Sequence, residues 1–262
     1  MAGRFPVLMY HRLESPACPV TLAGERKWAI PAGRFEVHMR GLRESGRQGV
    51  SMAQVHHRLC AGEAIPATWV AITFDDGNAS DYRHALPVLA GHGFHATFFV
   101  CGERVGAELS PGELRSMHEA GMHIGSHAMR HRFLTTLDPA DEEAELVQSR
   151  RTLEQLLGAP VTHFAPPGGR WSSRTREALR RAGYEAISTS RYGFNPDDSA
   201  RFAYCRLPVL GATSSGTFDA MVNRRRYRLF AGYARAAAIA AARSVLGESG
   251  YGRARNAGRG AL

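Results

Sequence analysis

Short apolar runs that alternate with helix-length amphipathic stretches constrain this chain more than any other feature. The runs cover residues 7–10, 69–74, 96–100, 123–125, 162–165 and 186–188. Between them, residues 35–46 repeat apolar positions at Phe35, Met39 and Leu42, and residues 79–91 at Tyr82, Leu86 and Leu89. A third stretch opens with Ser110 and Glu113, the two ends of a capping box, and stops at Gly121. A fourth opens with Asp138, is acidic in its first turns and stops at Gly158; a fifth, residues 172–182, stops at Gly183. Strands and helices alternating at this pitch predict an α/β fold with a mainly parallel sheet. With 262 residues, 44% of them hydrophobic, the chain can bury a large core. No apolar run reaches the ~18 residues that a membrane-spanning helix requires.

In parallel α/β folds, the side chains at the C-terminal ends of the strands collect on one face. Tyr10-His11 follows the first run, and Asp75-Asp76-Gly77 follows the second. Ser126-His127 and then His131 follow the fourth, and Pro166-Pro167-Gly168-Gly169 the fifth. Asp76, His127 and His131 make a metal set: two neutral imidazoles and one carboxylate, with a position left for water, suit a divalent ion such as zinc. The four-residue spacing lets both rings converge if that turn is helical. Such an ion lowers the pKa of its water to roughly 7–9. Neighbouring side chains at a strand end point to different sides, so one of Asp75 and Asp76 can bind the metal while the other contacts the water as general base. Taken singly, Asp-Gly is an ordinary turn and a histidine pair beside arginines is ordinary surface. Their joint placement at separate strand ends favours a site.

Thr73-Phe74-Asp75-Asp76-Gly77, followed by Ser126-His127-x-x-x-His131, resembles the polysaccharide deacetylases, carbohydrate esterase family four, with the chitooligosaccharide deacetylase (NodB-type) homology domain. The resemblance runs through residues 5–215. It implies a distorted, partly open (β/α)7 barrel and metal-dependent removal of acetyl groups from N-acetylated, sometimes O-acetylated, sugars. It also implies Asp75 as catalytic base, Asp76, His127 and His131 as metal ligands, and one divalent ion, zinc with cobalt or nickel as alternatives. In the third family motif, Ala165 stands where an arginine usually braces the base, and Gly168 stands where a tyrosine lends its backbone N–H to the oxyanion. Glycine keeps that N–H, so Gly168, with Pro167, is expected at the substrate. The family's Leu-x-His motif corresponds to Arg206-Leu207-Pro208-Val209-Leu210, which has no histidine. Val7-Leu8-Met9-Tyr10-His11 resembles the start of the circularly permuted biofilm poly-N-acetylglucosamine deacetylases, and this implies His11 as general acid. No Asp-x-x-Asp-Trp motif is recognisable in residues 188–198. Trp171 leads the aromatic candidates for sugar stacking, ahead of Tyr192, Phe194 and Trp28.

Charge divides the chain. Of the net +9, residues 221–262 carry +8, with nine arginines and one acid, which leaves residues 1–220 nearly neutral. A nearly neutral body argues against nucleic acid as a partner. Residues 1–220 are therefore read as the catalytic domain and residues 221–262 as a basic amphipathic helix and disordered tail. Over residues 223–246, Tyr227, Phe230, Ala234, Ala238, Ala241 and Val245 share one side and the arginines lie opposite. Such a helix either docks on the body or meets an anionic membrane surface or an acidic polymer; residues beyond Gly247 read as disordered. The start of the chain lacks the long apolar stretch of a secretory signal, and the four cysteines form no C-x-x-C motif. The expected location is cytoplasmic, at the membrane periphery if the basic helix binds there. The expected activity is N-deacetylation of a poly- or oligosaccharide, as in exopolysaccharide synthesis. The alternatives are a metal amidohydrolase for a small non-sugar amide and a glycan-binding pseudoenzyme.

Overall fold

The structure, a computed structural model, describes residues 3–242 apart from 22, 199, 200, 236 and 240. Its centre is a ring of parallel strands: β1 (Val7–Tyr10), β2 (Trp69–Asp76), β3 (Thr97–Val100), β4 (His123–Ser126), β5 (His163–Phe164), β6 (Ala186–Tyr192) and β7 (Ala203–Pro208). Around the ring the order is β1-β7-β6-β5-β4-β3-β2, and β2 pairs back onto β1. The N-terminal strand is therefore the closing stave. It joins β7 through Leu8 and Met9 and lies along β2 with Tyr10 opposite Phe74. The (β/α)7 barrel expected from the sequence is present, and its ring is closed. Distortion concentrates at two seams. β4 and β5 share the single register pair Ser126–Phe164, and the pairing of β6 with β7 shifts between Ser188 and Tyr192. A short strand, Gln48–Val50, pairs with the first residues of β2.

Strands buried on both faces need continuous apolar sequence, and all four side chains of β1 are buried. One apolar cluster fills the space between ring and helices. In it Phe74 stacks on Phe98 at 4.8 Å and on Tyr10 at 5.2 Å. A second cluster gathers Val7, Ala71, Ala186 and Tyr204 at the N-terminal ends of the strands, against Met52, Val55 and Leu59 of a helix. The opposite end of the barrel is left to polar groups.

The helices are α1 (Ala32–Glu44), α2 (Met52–Cys60), α3 (Leu86–Gly91), α4 (Pro111–Glu119), α5 (Pro139–Leu157), α6 (Ser173–Arg181) and α7 (Ser215–Val222). The predicted capping box at Ser110 and Glu113 is formed, Asp138 caps α5, and Gly158 ends α5 in the left-handed region. The C-terminal segment departs from the expected continuous helix. α7 ends at Val222, a 3-10 turn spans Arg226–Leu229, and helix resumes at residue 230. The interruption changes which side packs. Leu229 is buried and Tyr233 meets Tyr192 edge-on at 5.0 Å, while Tyr227 and Phe230 are 73% and 74% exposed. Val245 and the tail beyond Gly247 lie outside the described residues. No helix among the described residues is long and apolar enough to cross a membrane.

Candidate active site

β2 ends in two carboxylates that the backbone sends apart. Asp75 points into the barrel and is 3% exposed, and Arg206 of β7 grips it with both arms of its guanidinium. Nη1 donates to Oδ1 at 2.6 Å and Nη2 to Oδ2 at 2.8 Å. Nη1 also donates to Thr73 Oγ1, and Nε to the Thr189 carbonyl, so β2 and β6 both hold the fully buried guanidinium in place. Burial raises the pKa of Asp75, but the Arg206 charge and then His127 outweigh it, and the carboxyl stays anionic below its usual range.

Asp76 turns the other way through a positive φ of 85°, and Gly77 follows at 78°. A side chain at Gly77 would lie 2.9 Å from Val100, so the turn requires glycine there. Asn78 ties the loop down. Its Nδ2 donates to the Asp75 carbonyl, and its Oδ1 accepts from Arg12 and Arg104.

His127 follows β4 and is buried. Its Nδ1 lies 2.7 Å from the Ala165 carbonyl, which places the proton there and leaves Nε2 as a lone pair. That Nε2 is 3.4 Å from Asp76 Oδ1, and His131 Nε2 is 3.2 Å from the same oxygen. The ligand atoms of all three residues lie within 4.8 Å of one another. Two imidazole lone pairs converging on one carboxylate oxygen fit a divalent cation among them. A four-residue spacing would bring both rings together on a helical turn, but residues 127–131 are not helical. Positive φ angles at Ala128 (66°) and His131 (55°) fold the second imidazole back instead. Such backbone costs ~1–3 kcal/mol per residue and persists only where the surroundings enforce it. Glu145 of α5 enforces it here. This fully buried carboxylate accepts the backbone N–H of Met129 at 3.0 Å and of Arg130 at 2.7 Å.

His11 comes abreast of Asp75 because Tyr10 pairs with Phe74. Its ring stacks on Trp28 at 4.3 Å, and its buried Nδ1 has no hydrogen-bond partner among the described residues. Burial pulls its pKa down, Asp75 and Asp76 push back, and the net direction is down. Among the described residues, no carboxylate replaces the family's tuning aspartate by a hydrogen bond to Nδ1.

The other expected residues divide. Pro167 and Gly168 form a 3-10 turn beyond β5, with Gly168 at φ 61°. Trp171 is half-buried against the main apolar cluster, Phe194 is buried, and Tyr192 faces Tyr233. Trp28 packs on His11 and does not stand free at the rim. Arg206 and Glu145 escaped the sequence reading. A signal for Arg206 existed: a lone charge in the otherwise uncharged stretch 202–210 must be paired once buried.

A carboxylate gripped by arginine, three convergent residues able to hold a metal ion, and an imidazole thus lie around one opening. Residues 63–187 match the family model for polysaccharide deacetylase. YxkH of Bacillus subtilis (strain 168) is 28% identical over 84% of this chain and 76% of its own length. A chitin deacetylase of Pestalotiopsis sp is 32% identical over 60% of this chain, which spans about half (53%) of that protein. Among solved structures, the Streptococcus pyogenes deacetylase PplD in complex with acetate superposes with a TM-score of 0.75, covering 85% of this chain and 99% of PplD at 22% identity. Residues 63–187 are thus a polysaccharide deacetylase domain, of a family that hydrolyses carbon–nitrogen bonds other than peptide bonds, and the fold is the NodB-type one.

Proposed function

We propose that the protein removes N-acetyl groups from a poly- or oligosaccharide in a metal-dependent reaction and releases acetate. The observation that carries this reading is the convergence of Asp76, His127 and His131 beside a carboxylate that Arg206 keeps anionic. A divalent cation held by those three residues, zinc or a similar ion, supplies Lewis acidity and acidifies water when bound. Asp75 accepts the proton of the attacking water, and Arg206 fixes the direction of the accepting oxygen. The Gly168 N–H donates to the oxyanion that develops on the acetyl group. His11 delivers a proton to the departing nitrogen, which is otherwise too poor a leaving group. The Trp28 stack orients that ring, and burial lowers its pKa, which makes the protonated imidazole a stronger acid.

The glycan substrate is supported by the chitin deacetylase relative and by the match of residues 63–187 to the polysaccharide deacetylase family. The basic C-terminal segment, with Tyr227 and Phe230 exposed beside Arg225 and Arg228, fits contact with an anionic membrane surface. Metal analysis, followed by acetate release from N-acetylglucosamine oligomers with and without chelator, tests the reading. Chelator-sensitive acetate release is expected. Glycan binding without release would mark a pseudoenzyme, and indifference to the oligomers would mark a small-amide hydrolase.

A further inference from the structure

We propose that Phe133 is a stacking platform for a pyranose ring of the substrate, a sugar-binding position beside the acetyl-bearing residue. This rests on the glycan reading above and adds to it the side chain that meets the sugar. Phe133 is 38% exposed, in a protein that buries nearly all its large apolar side chains. It stands two residues beyond His131, a proposed metal ligand. Its ring edge covers Gly168. A Cβ added at Gly168 would lie 2.7 Å from Phe133 Cε1, so the absence of a side chain at 168 is what gives the ring its seat. The guanidinium of Arg170 lies 4.1 Å from the ring centroid and backs one face. Arg170 is itself 7% exposed, so this backing is held by the protein body.

The result is an aromatic ring fixed from behind and at its edge, with its remaining surface open to solvent beside the proposed oxyanion donor. A mobile surface phenylalanine has no such support. An aromatic face held rigid before binding loses little entropy on contact. A pyranose presents an apolar face of C–H groups of matching size, and such a ring recognises it without discriminating linkage chemistry. Trp171, the residue the sequence favoured for this task, is half-buried and packs part of its surface against the core.

The test compares wild type, Phe133→Ala and Phe133→Tyr. Two readouts are taken: acetate release from N-acetylglucosamine oligomers, and calorimetric binding of the same oligomers to protein stripped of metal. Phe133→Ala is expected to raise KM and the binding constant Kd together by about tenfold while kcat changes by less than about twofold. Phe133→Tyr, which keeps the ring, is expected to restore both. Unchanged Kd and KM in Phe133→Ala would overturn the platform while leaving deacetylation standing. A fall in kcat with unchanged Kd would also overturn it, by showing that the ring only supports the loop. If wild type binds oligomers through Phe133 but releases no acetate, the platform stands and the catalytic reading falls. If wild type neither binds nor hydrolyses them, both fall.

Discussion

Arg206 and Asp75 form a two-pronged ion pair, with contacts of 2.6 and 2.8 Å, between residues 131 positions apart in the chain. The position aligned with the family's bracing arginine is Ala165, on the segment after β5. The guanidinium that grips Asp75 instead comes from β7, which only β1 separates from β2 in the ring. The carboxylate meets the same chemistry from a different direction, because only the guanidinium fork and its distance matter to the charge.

Removing one partner of a buried pair leaves the other charge uncompensated. Arg206→Met is expected to cost about 3–5 kcal/mol in urea unfolding at neutral pH. Acetate release is expected to fall by about 10²-fold through misplacement of the base. Arg206→Lys restores charge without the fork, so it should recover stability only in part. Wild-type stability in either variant would contradict the pairing.

His11→Ala separates proton donation from metal binding. Metal content should match wild type, since Asp76, His127 and His131 are untouched. Turnover of an N-acetyl sugar should drop by about 10²–10⁴-fold. An acetyl ester with a good leaving group needs no proton on departure and should lose far less. Equal losses on both substrates would remove the acid role.

Glu145 touches no ligand atom, yet it holds the backbone between the two histidines. Glu145→Ala should weaken zinc binding by about 10–100-fold in a chelator competition, with the fold otherwise retained. An unchanged zinc affinity would show that the loop keeps its positive-φ shape unaided.

Stability should fall on acidification. Burial, followed by Arg34 at His38 and by His118 at His123, lowers both imidazoles from the ordinary 6.5 to about 4. Between those values the unfolded chain binds protons that the folded chain refuses, so unfolding becomes easier as pH drops through this window. The contribution is complete above 6.5 and is lost progressively toward 4. Urea midpoints across that range should decline, and His123→Gln should flatten the slope. A flat wild-type profile would refute the assignment.

The exposed pair Tyr227 and Phe230 should carry the protein onto anionic vesicles. Sedimentation with phosphatidylglycerol vesicles is expected to fall in the Tyr227→Ser/Phe230→Ser double variant and with added salt. It should be absent with phosphatidylcholine. Equal binding to both lipids, or none to either, would discard the membrane reading.

Much of the molecule could be read along the chain. Strand ends, helix caps at Ser110 and Asp138 and the stop at Gly158 depend on residues within a turn or two of one another, or on their place at the end of a strand. Local geometry dictates those features, so sequence alone determined them. Tertiary structure decided the rest. Ring closure through β1 put β7 one strand away from β2 and so chose Arg206 as the partner of Asp75. The carboxylate of a distant helix imposed the backbone that returns His131, where spacing had implied a helical turn. A 3-10 turn at Arg226–Leu229 left Tyr227 and Phe230 facing solvent. In each case the deciding free energy is a pairing or packing contact between segments whose relative position exists only after the barrel has closed.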